Sequence, residues 1–182
     1  MQDFDQTEIT NFFANAIDFH NTRETYMALF PRSGYELIDK IPQQARILDV
    51  GCGKNLFKNS FPNLTGIDII GTECDQQIDL LNYKTDKKFD VILCLGSIFG
   101  SFNDIKDQIA HMKTMLVPNG KIYWRNHPAL PEWGFHPSFF YLWTIDTHVQ
   151  LADEFDFEIV EVCKEYLPQG KYRIYAEWTS NT

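Results

Sequence analysis

The chain has 182 residues, 15% of them aromatic, and a formal net charge of −9 from 16 Lys and Arg against 25 Asp and Glu. That length supports one domain whose core needs neither disulfides nor a metal. The acidic balance disfavours a nucleic-acid partner, because nonspecific affinity for nucleic acid comes from clustered Lys and Arg, and it suits a small neutral or cationic ligand better.

The opening Met-Gln-Asp-Phe-Asp has no basic or apolar leader, so no signal peptide is expected. No apolar run approaches ~20 residues, so no membrane span is expected. Cys52, Cys74, Cys94 and Cys163 stand far apart, with no CxxC and no histidine at metal spacing. They read as reduced thiols, with no metal site, in a cytoplasmic protein. Residues 7–18 and 22–40 are predicted as an N-terminal helical layer in which Pro31 breaks the second segment.

Residues 45–50 are predicted as the first strand, followed by a short helix to about residue 60. A second strand is expected over Leu64–Ile70, a weaker third near Asp75–Leu80, and a fourth over Lys88–Leu95, whose continuous apolar run fits a sheet covered on both faces. Asn103 or Asp104 can cap the next helix, in which Ile105, Ile109, Met112 and Leu116 share one face. Pro118-Asn119-Gly120 ends it and Lys121–Trp124 begins strand five. A helix near 145–154 then precedes Phe157–Glu165 and Lys171–Thr179, which read as an antiparallel hairpin. Alternating strands and helices of this kind predict a mostly parallel α/β sheet. Its ligands belong at the carboxyl ends of the strands.

The residues just after each strand therefore carry the chemistry. Strand one runs into Gly51-Cys52-Gly53, where glycine permits positive φ and close approach of a ligand, with Asp49 two residues before. A carboxylate there repels a pyrophosphate and suits a cationic or amino-bearing ligand. A dinucleotide site would want glycine at Leu56, so NAD is disfavoured. Strand two ends in Gly66-Ile67-Asp68, and Asp68 can accept both hydroxyls of a ribose or serve as a loop carboxylate.

Ile47-Leu48-Asp49-Val50-Gly51-Cys52-Gly53, Gly66-Ile67-Asp68-Ile69, Phe89–Leu95 with the loop Gly96–Phe102, and Leu116-Val117-Pro118-Asn119-Gly120-Lys121-Ile122 together resemble the ordered motifs of the class I S-adenosylmethionine-dependent methyltransferases. The resemblance spans about residues 45–178. It implies a single methyltransferase domain over 1–182, with 1–40 as helical layer and 45–178 as a Rossmann-like cofactor-binding core with helices on both faces. It implies S-adenosyl-L-methionine as cofactor. The backbone of Gly51, Cys52 and Gly53, with Asp49, would hold the methionine portion, and Asp68, followed by Ile69, would take the ribose. An acid after strand three would reach the adenine amino group; Asp79, followed by Leu80, fits the family's interval, and Asp75 opens the strand. Leu95 and Gly96 would line the pocket by the sulfonium.

The chain departs from the family's pattern in three places. Asn55 stands where the family has a third glycine, although Asn tolerates the left-handed region. Only 16 residues separate Gly51 from Asp68 and 10 separate Asp68 from Asp79, too few for the usual helix after strand two. The fold is thus expected to be shortened after strands one and two, with a thinly covered sheet face that is a candidate homodimer surface.

On the acceptor side no Asn/Asp-Pro-Pro-Tyr follows strand four. Arg125-Asn126-His127-Pro128 ends strand five, with His127 the first candidate base and His136 the second; either also reads as a loop or capping histidine. Trp133, Phe135, Phe139, Phe140, Tyr141 and Trp143 form either an aromatic acceptor pocket or a lid on the sheet. His20, Arg23 and Tyr26 read as a cover over the cofactor or as a solvated helix face. The expected function is methyl transfer to a small-molecule or unidentified acceptor. A non-catalytic S-adenosylmethionine or S-adenosylhomocysteine-binding module is the alternative.

Overall fold

The computed structural model describes residue 32, residues 34–71, 73–128, 143–166, 170 and 172–181. Among them a seven-stranded sheet is built from β1 (Ile47–Val50), β2 (Leu64–Asp68), β3 (Gln76–Gln77), β4 (Phe89–Leu95), β5 (Leu116–Asn126), β6 (Phe157–Tyr166) and β7 (Tyr172–Ser180). The spatial order is β3-β2-β1-β4-β5-β7-β6. The pairs β1–β2, β1–β4, β2–β3 and β4–β5 are parallel, and β7 runs antiparallel to both β5 and β6. The predicted mostly parallel sheet closed by a C-terminal hairpin is the one observed. The order reverses between β1 and β4, which opens a crevice at their carboxyl ends.

Pleat alternation divides the core between the two faces. One face carries Leu48, Ile92, Ile122, Trp124, Ala176 and Trp178 under helices α2 (Phe102–Met115) and α3 (Ile145–Glu154), which insert Ile105, Ile109, Met112 and Leu151. The other carries Ile47, Val91, Leu93, Tyr123 and Tyr175 under Tyr35, the short helix α1 (Leu37–Lys40), Phe57 and Phe61. Within the predicted N-terminal helical layer, only Leu37–Lys40 is helical among the described residues; residues 7–18, most of 22–36, and His20, Arg23 and Tyr26 lie outside them.

Several local expectations are corrected. The stretch after β1 is a run of turns and not a helix, closed by i to i+3 bonds from Asn55 N to Cys52 O and from Lys58 N to Asn55 O. β2 stops at Asp68 because its carboxylate captures the Ile70 and Gly71 N–H groups (2.8 and 2.9 Å) and turns the chain away. β3 shrinks to two residues because Asp79 caps a 3₁₀ turn over Leu80–Asn82. The cap of α2 is Ser101, in a reciprocal box with Asp104, and not Asn103 or Asp104; this placement satisfies two orphan N–H groups at once. The Pro118–Gly120 turn is an excursion within β5: Leu116 already pairs with Phe89, and pairing resumes at Lys121 with Val91. Asn119 takes a positive φ of 60° there. Between β2 and β3 no helix occurs among the described residues, as the short interval requires.

Candidate functional site

The carboxyl ends of β1, β2, β4 and β5 converge on one edge. After β1 the chain folds back over β2, with Gly51 N and Cys52 N both donating to Ile67 O (2.8 and 3.1 Å). Gly51, Gly53 and Asn55 all have positive φ, at 67°, 55° and 52°. The two glycines differ in their surroundings. A Cβ on Gly51 would stand 2.3 Å from Ser97 Cβ, so Gly51 is the close approach between the β1 and β4 loops. A Cβ on Gly53 would meet nothing within 4 Å; its backbone faces open space where a ligand can lie. Asn55 is buried, bonds Glu73 O through Nδ2 (3.1 Å), and seats its Oδ1 2.6 Å from where a Gly66 Cβ would be. Gly66 on β2 is thus what lets the shortened turn close, and the Cys52 thiol packs down on the same spot.

Asp49 is 3% exposed. Burial pushes its carboxyl up to about 7, Arg125 pulls it back down, and Asp68 adds to the rise. Asp68 is also buried and is the knot between the turns: its Oδ2 accepts from Gly53 N (2.9 Å) while its Oδ1 accepts from Ile70 N and Gly71 N. A carboxylate offers about four acceptor positions, so one remains for a ligand hydroxyl. Ile69 follows, half-buried. Asp79 is exposed and accepts from Leu81 N (2.9 Å); Leu80 beside it is buried, and Leu81 is 37% exposed. Asp75 has a different task. It accepts from Gly66 N (2.7 Å) and pairs with Lys58, and these bonds outweigh burial and hold its carboxyl below the usual range. It opens β3, as expected.

At the end of β4, Leu95 is half-buried beneath Gly34, whose Cβ would come within 2.6 Å of Leu95 Cδ1. Gly96 follows with φ 96°. His127 lies half-buried just beyond β5, at the same edge as Gly96. Trp143 belongs to the sheet core, 5.6 Å from the Trp124 ring. His136, Trp133, Phe135, Phe139, Phe140 and Tyr141 lie outside the described residues.

Arg125 carries more of the site than its sequence position suggests. It is buried, and its Nη2 donates to Leu95 O at 2.7 Å. Only the β4–β5 register reveals this, since a charged residue near a strand end otherwise reads as solvated. Glu36 on the covering segment is half-buried; burial raises its carboxyl, against the pull of the Gly34 N–H and of Arg125. Among the described residues no group of His, Cys, Asp and Glu could hold a metal ion, and no helix is long and apolar enough to cross a membrane.

The family model described as "Methyltransferase domain" matches residues 19–162. No curated protein sequence matches the chain. Solved structures share its fold. The 1,6-didemethyltoxoflavin-N1-methyltransferase of Burkholderia thailandensis, with bound 1,6-didemethyltoxoflavin and S-adenosylhomocysteine, superposes with a TM-score of 0.74 at 15% identity, over 96% of this chain and 88% of that one. The N-methyltransferase NodS of Bradyrhizobium japonicum WM9 gives 0.65 at 18% identity, over 84% and 97%. The magnesium protoporphyrin IX methyltransferase of Synechocystis PCC 6803, with bound S-adenosylhomocysteine, gives 0.62 at 14%, over 81% and 79%.

Proposed function

This chain belongs to the class I S-adenosylmethionine-dependent methyltransferases, and we propose that it moves a methyl group from S-adenosyl-L-methionine to a small-molecule acceptor. The observation that carries this reading is a pair of glycines at the ends of neighbouring strands, Gly53, which faces open space, and Gly96, which has room for a Cβ, beside the buried carboxyl groups of Asp49 and Asp68. A Cβ on Gly96 would meet only Arg125, at 3.9 Å. Backbone without side chains, next to acids, fits a ligand that is cationic and must come close.

When bound, the cofactor supplies an electrophilic methyl, the C–S bond pair staying on sulfur as S-adenosylhomocysteine forms. In this reading the protein's share is alignment. The Gly51–Gly53 backbone and Asp49 hold the methionine portion. Asp68 offers its remaining acceptor position to the ribose, Ile69 and Leu80 flank the base, and Asp79 takes its amino group. Leu95 and Gly96 border the methyl, and His127 receives the proton that the acceptor atom loses.

Calorimetry with S-adenosylmethionine, S-adenosylhomocysteine and NAD tests the assignment. Heat is expected with the first two; heat with NAD alone would sink it. Binding of the sulfonium pair with no methyl transfer to any small molecule of a broad extract would leave a cofactor-binding module. Asp68→Ala is expected to weaken S-adenosylhomocysteine binding about 10- to 100-fold, the loss of charge-assisted hydrogen bonds. It should also lower Tm by several degrees, because the Gly53, Ile70 and Gly71 N–H groups lose their acceptor. Unchanged affinity would mean that the ribose is held elsewhere.

A further inference from the structure

Asn126 ends β5 at the carboxyl edge and is 2% exposed. In the antiparallel ladder it stands opposite Ile174, and Trp124 opposite Ala176. Pleat alternation puts Asn126 on the same face as Trp124, two residues before it. Trp124, Ile174 and Ala176 are all fully buried, and the Trp124 indole N–H is the single polar group among their side chains. Asn126 Oδ1 has no hydrogen-bond partner among the described residues, and neither has Trp124 Nε1. An amide oxygen buried without a donor weakens the fold, where an apolar side chain of the same shape would not. That cost calls for a partner the folded chain itself does not supply.

The place of Asn126 in the sheet indicates which partner. Leu95 pairs with Arg125, and the Arg125 carbonyl carbon is bonded to Asn126 N. The oxygen of that carbonyl lies 3.9 Å from where a Gly96 Cβ would stand. Asn126 is thus the β5 neighbour of the Gly96 turn, which is assigned to the methyl. The residues assigned to the rest of the cofactor, Asp49 to Gly53 and Asp68, follow β1 and β2, and the spatial order is β2-β1-β4-β5. Gly96 therefore stands between them and Asn126. A group that meets Asn126 lies beyond the methyl, on the acceptor's side.

We propose that Asn126 selects the methyl acceptor: its amide oxygen takes a hydrogen bond from an uncharged N–H or O–H that the acceptor carries on an atom neighbouring the one methylated. The proposal rests on the methyltransferase reading. A neutral amide does not compensate a buried charge, so the group it suits is an amide, a ring N–H or a hydroxyl and not an ammonium. A compound without that donor leaves Oδ1 unpaired in its complex and is rejected for that reason. No proton moves at Asn126; the residue binds and orients.

The test compares the parent with Asn126→Leu, which keeps the side chain's shape and removes the amide. Without substrate the variant should melt at or above the parent's Tm, because the unpaired oxygen is gone. Its Kd for S-adenosylhomocysteine should stay within about twofold of the parent's, too small a change for a lost hydrogen bond. Both proteins are then given methyl-labelled S-adenosylmethionine and a dilution series of the small-molecule fraction of a cell extract. The variant should need about 10- to 100-fold more extract for half its maximal rate. Asn126→Asp, which keeps an oxygen at that place, should fall between. The labelled product, isolated and read by NMR, should hold an N–H or O–H on an atom next to the methylated one. A product with no such donor, or an unchanged need for extract, would overturn the proposal. So would a Tm lowered by several degrees in Asn126→Leu, which would mean that a buried water ties Asn126 to the Trp124 indole. A parallel loss of S-adenosylhomocysteine binding would place Asn126 on the cofactor and overturn it too. No labelled product with the parent would remove the methyltransferase reading, and this inference with it.

Discussion

Gly51→Ala is expected to abolish measurable S-adenosylhomocysteine binding and to destabilise the fold by about 2 to 5 kcal/mol. Two costs combine. The residue holds φ at 67°, where an L side chain pays ~1–2 kcal/mol. The new methyl would also stand 2.3 Å from Ser97 Cβ, forcing the β1 and β4 loops apart, an overpacking cost of ~1–3 kcal/mol. Gly53→Ala is the informative control. Its φ is similar at 55°, but a Cβ there meets nothing within 4 Å. It should lose only ~1–2 kcal/mol, while its methyl intrudes on the ligand's space and weakens binding. Urea unfolding of both variants, beside calorimetric titration, separates the two roles. Equal destabilisation by the two substitutions would contradict the close approach at Ser97.

His148→Leu should change the pH dependence of stability more than any surface substitution. His148 is 0% exposed, ringed by Trp143, Trp178 and Trp124 at 4.8, 5.5 and 5.9 Å. Neither ring nitrogen has a hydrogen-bond partner among the described residues. Burial alone pushes its pKa down to about 3. The unfolded chain protonates this histidine near its ordinary value of about 6.5, so between those values the unfolded state holds a proton that the folded state refuses. Stability is therefore lost as pH falls from about 6.5 towards 3, by a factor of about ten in the folding equilibrium per pH unit. Asp49 acts oppositely. Its raised carboxyl favours the folded state as pH drops below about 7, and the two slopes offset each other over roughly pH 4 to 6.5. Removing His148 leaves Asp49 unopposed. The variant should match the parent above pH 7 apart from a packing cost and then exceed it progressively, by about 4 kcal/mol near pH 3.5. Parallel urea midpoints across that range would refute the buried neutral imidazole.

The strands were legible because burial on both faces leaves runs such as Val91–Leu95 that solvent-facing segments cannot carry. The Gly51-Cys52-Gly53 turn was equally plain, since positive φ at a strand end calls for glycine. The turn run after β1 was not. Asn55 replaces a helix start there only because its side chain finds Glu73 O and the bare α-carbon of Gly66, 11 residues on, and a tertiary seat has no local signal. Asp68 read as a ligand carboxylate or a loop carboxylate, and the structure has it knotting the turns with one acceptor position left. Arg125 and His148 were opaque for one reason. Sequence patterning places polar side chains outward, and both are buried through strand register and helix packing.

The seven strands are unequal. β5, β6 and β7 run 11, 10 and 9 residues, while β1 has 4 and β3 has 2. The turns of the candidate site after β1, β2 and β3 hang from the short members, and the β6–β7 hairpin lies to one side. Local opening follows such a division. Backbone amides of β5 and β7 should exchange with deuterated water at the rate of global unfolding, and those of residues 51–60 and 76–82 much faster. S-adenosylhomocysteine should slow exchange in the second group and leave the first almost untouched. That outcome would make the long ladder the keel of the molecule and leave its ligand to finish the hull.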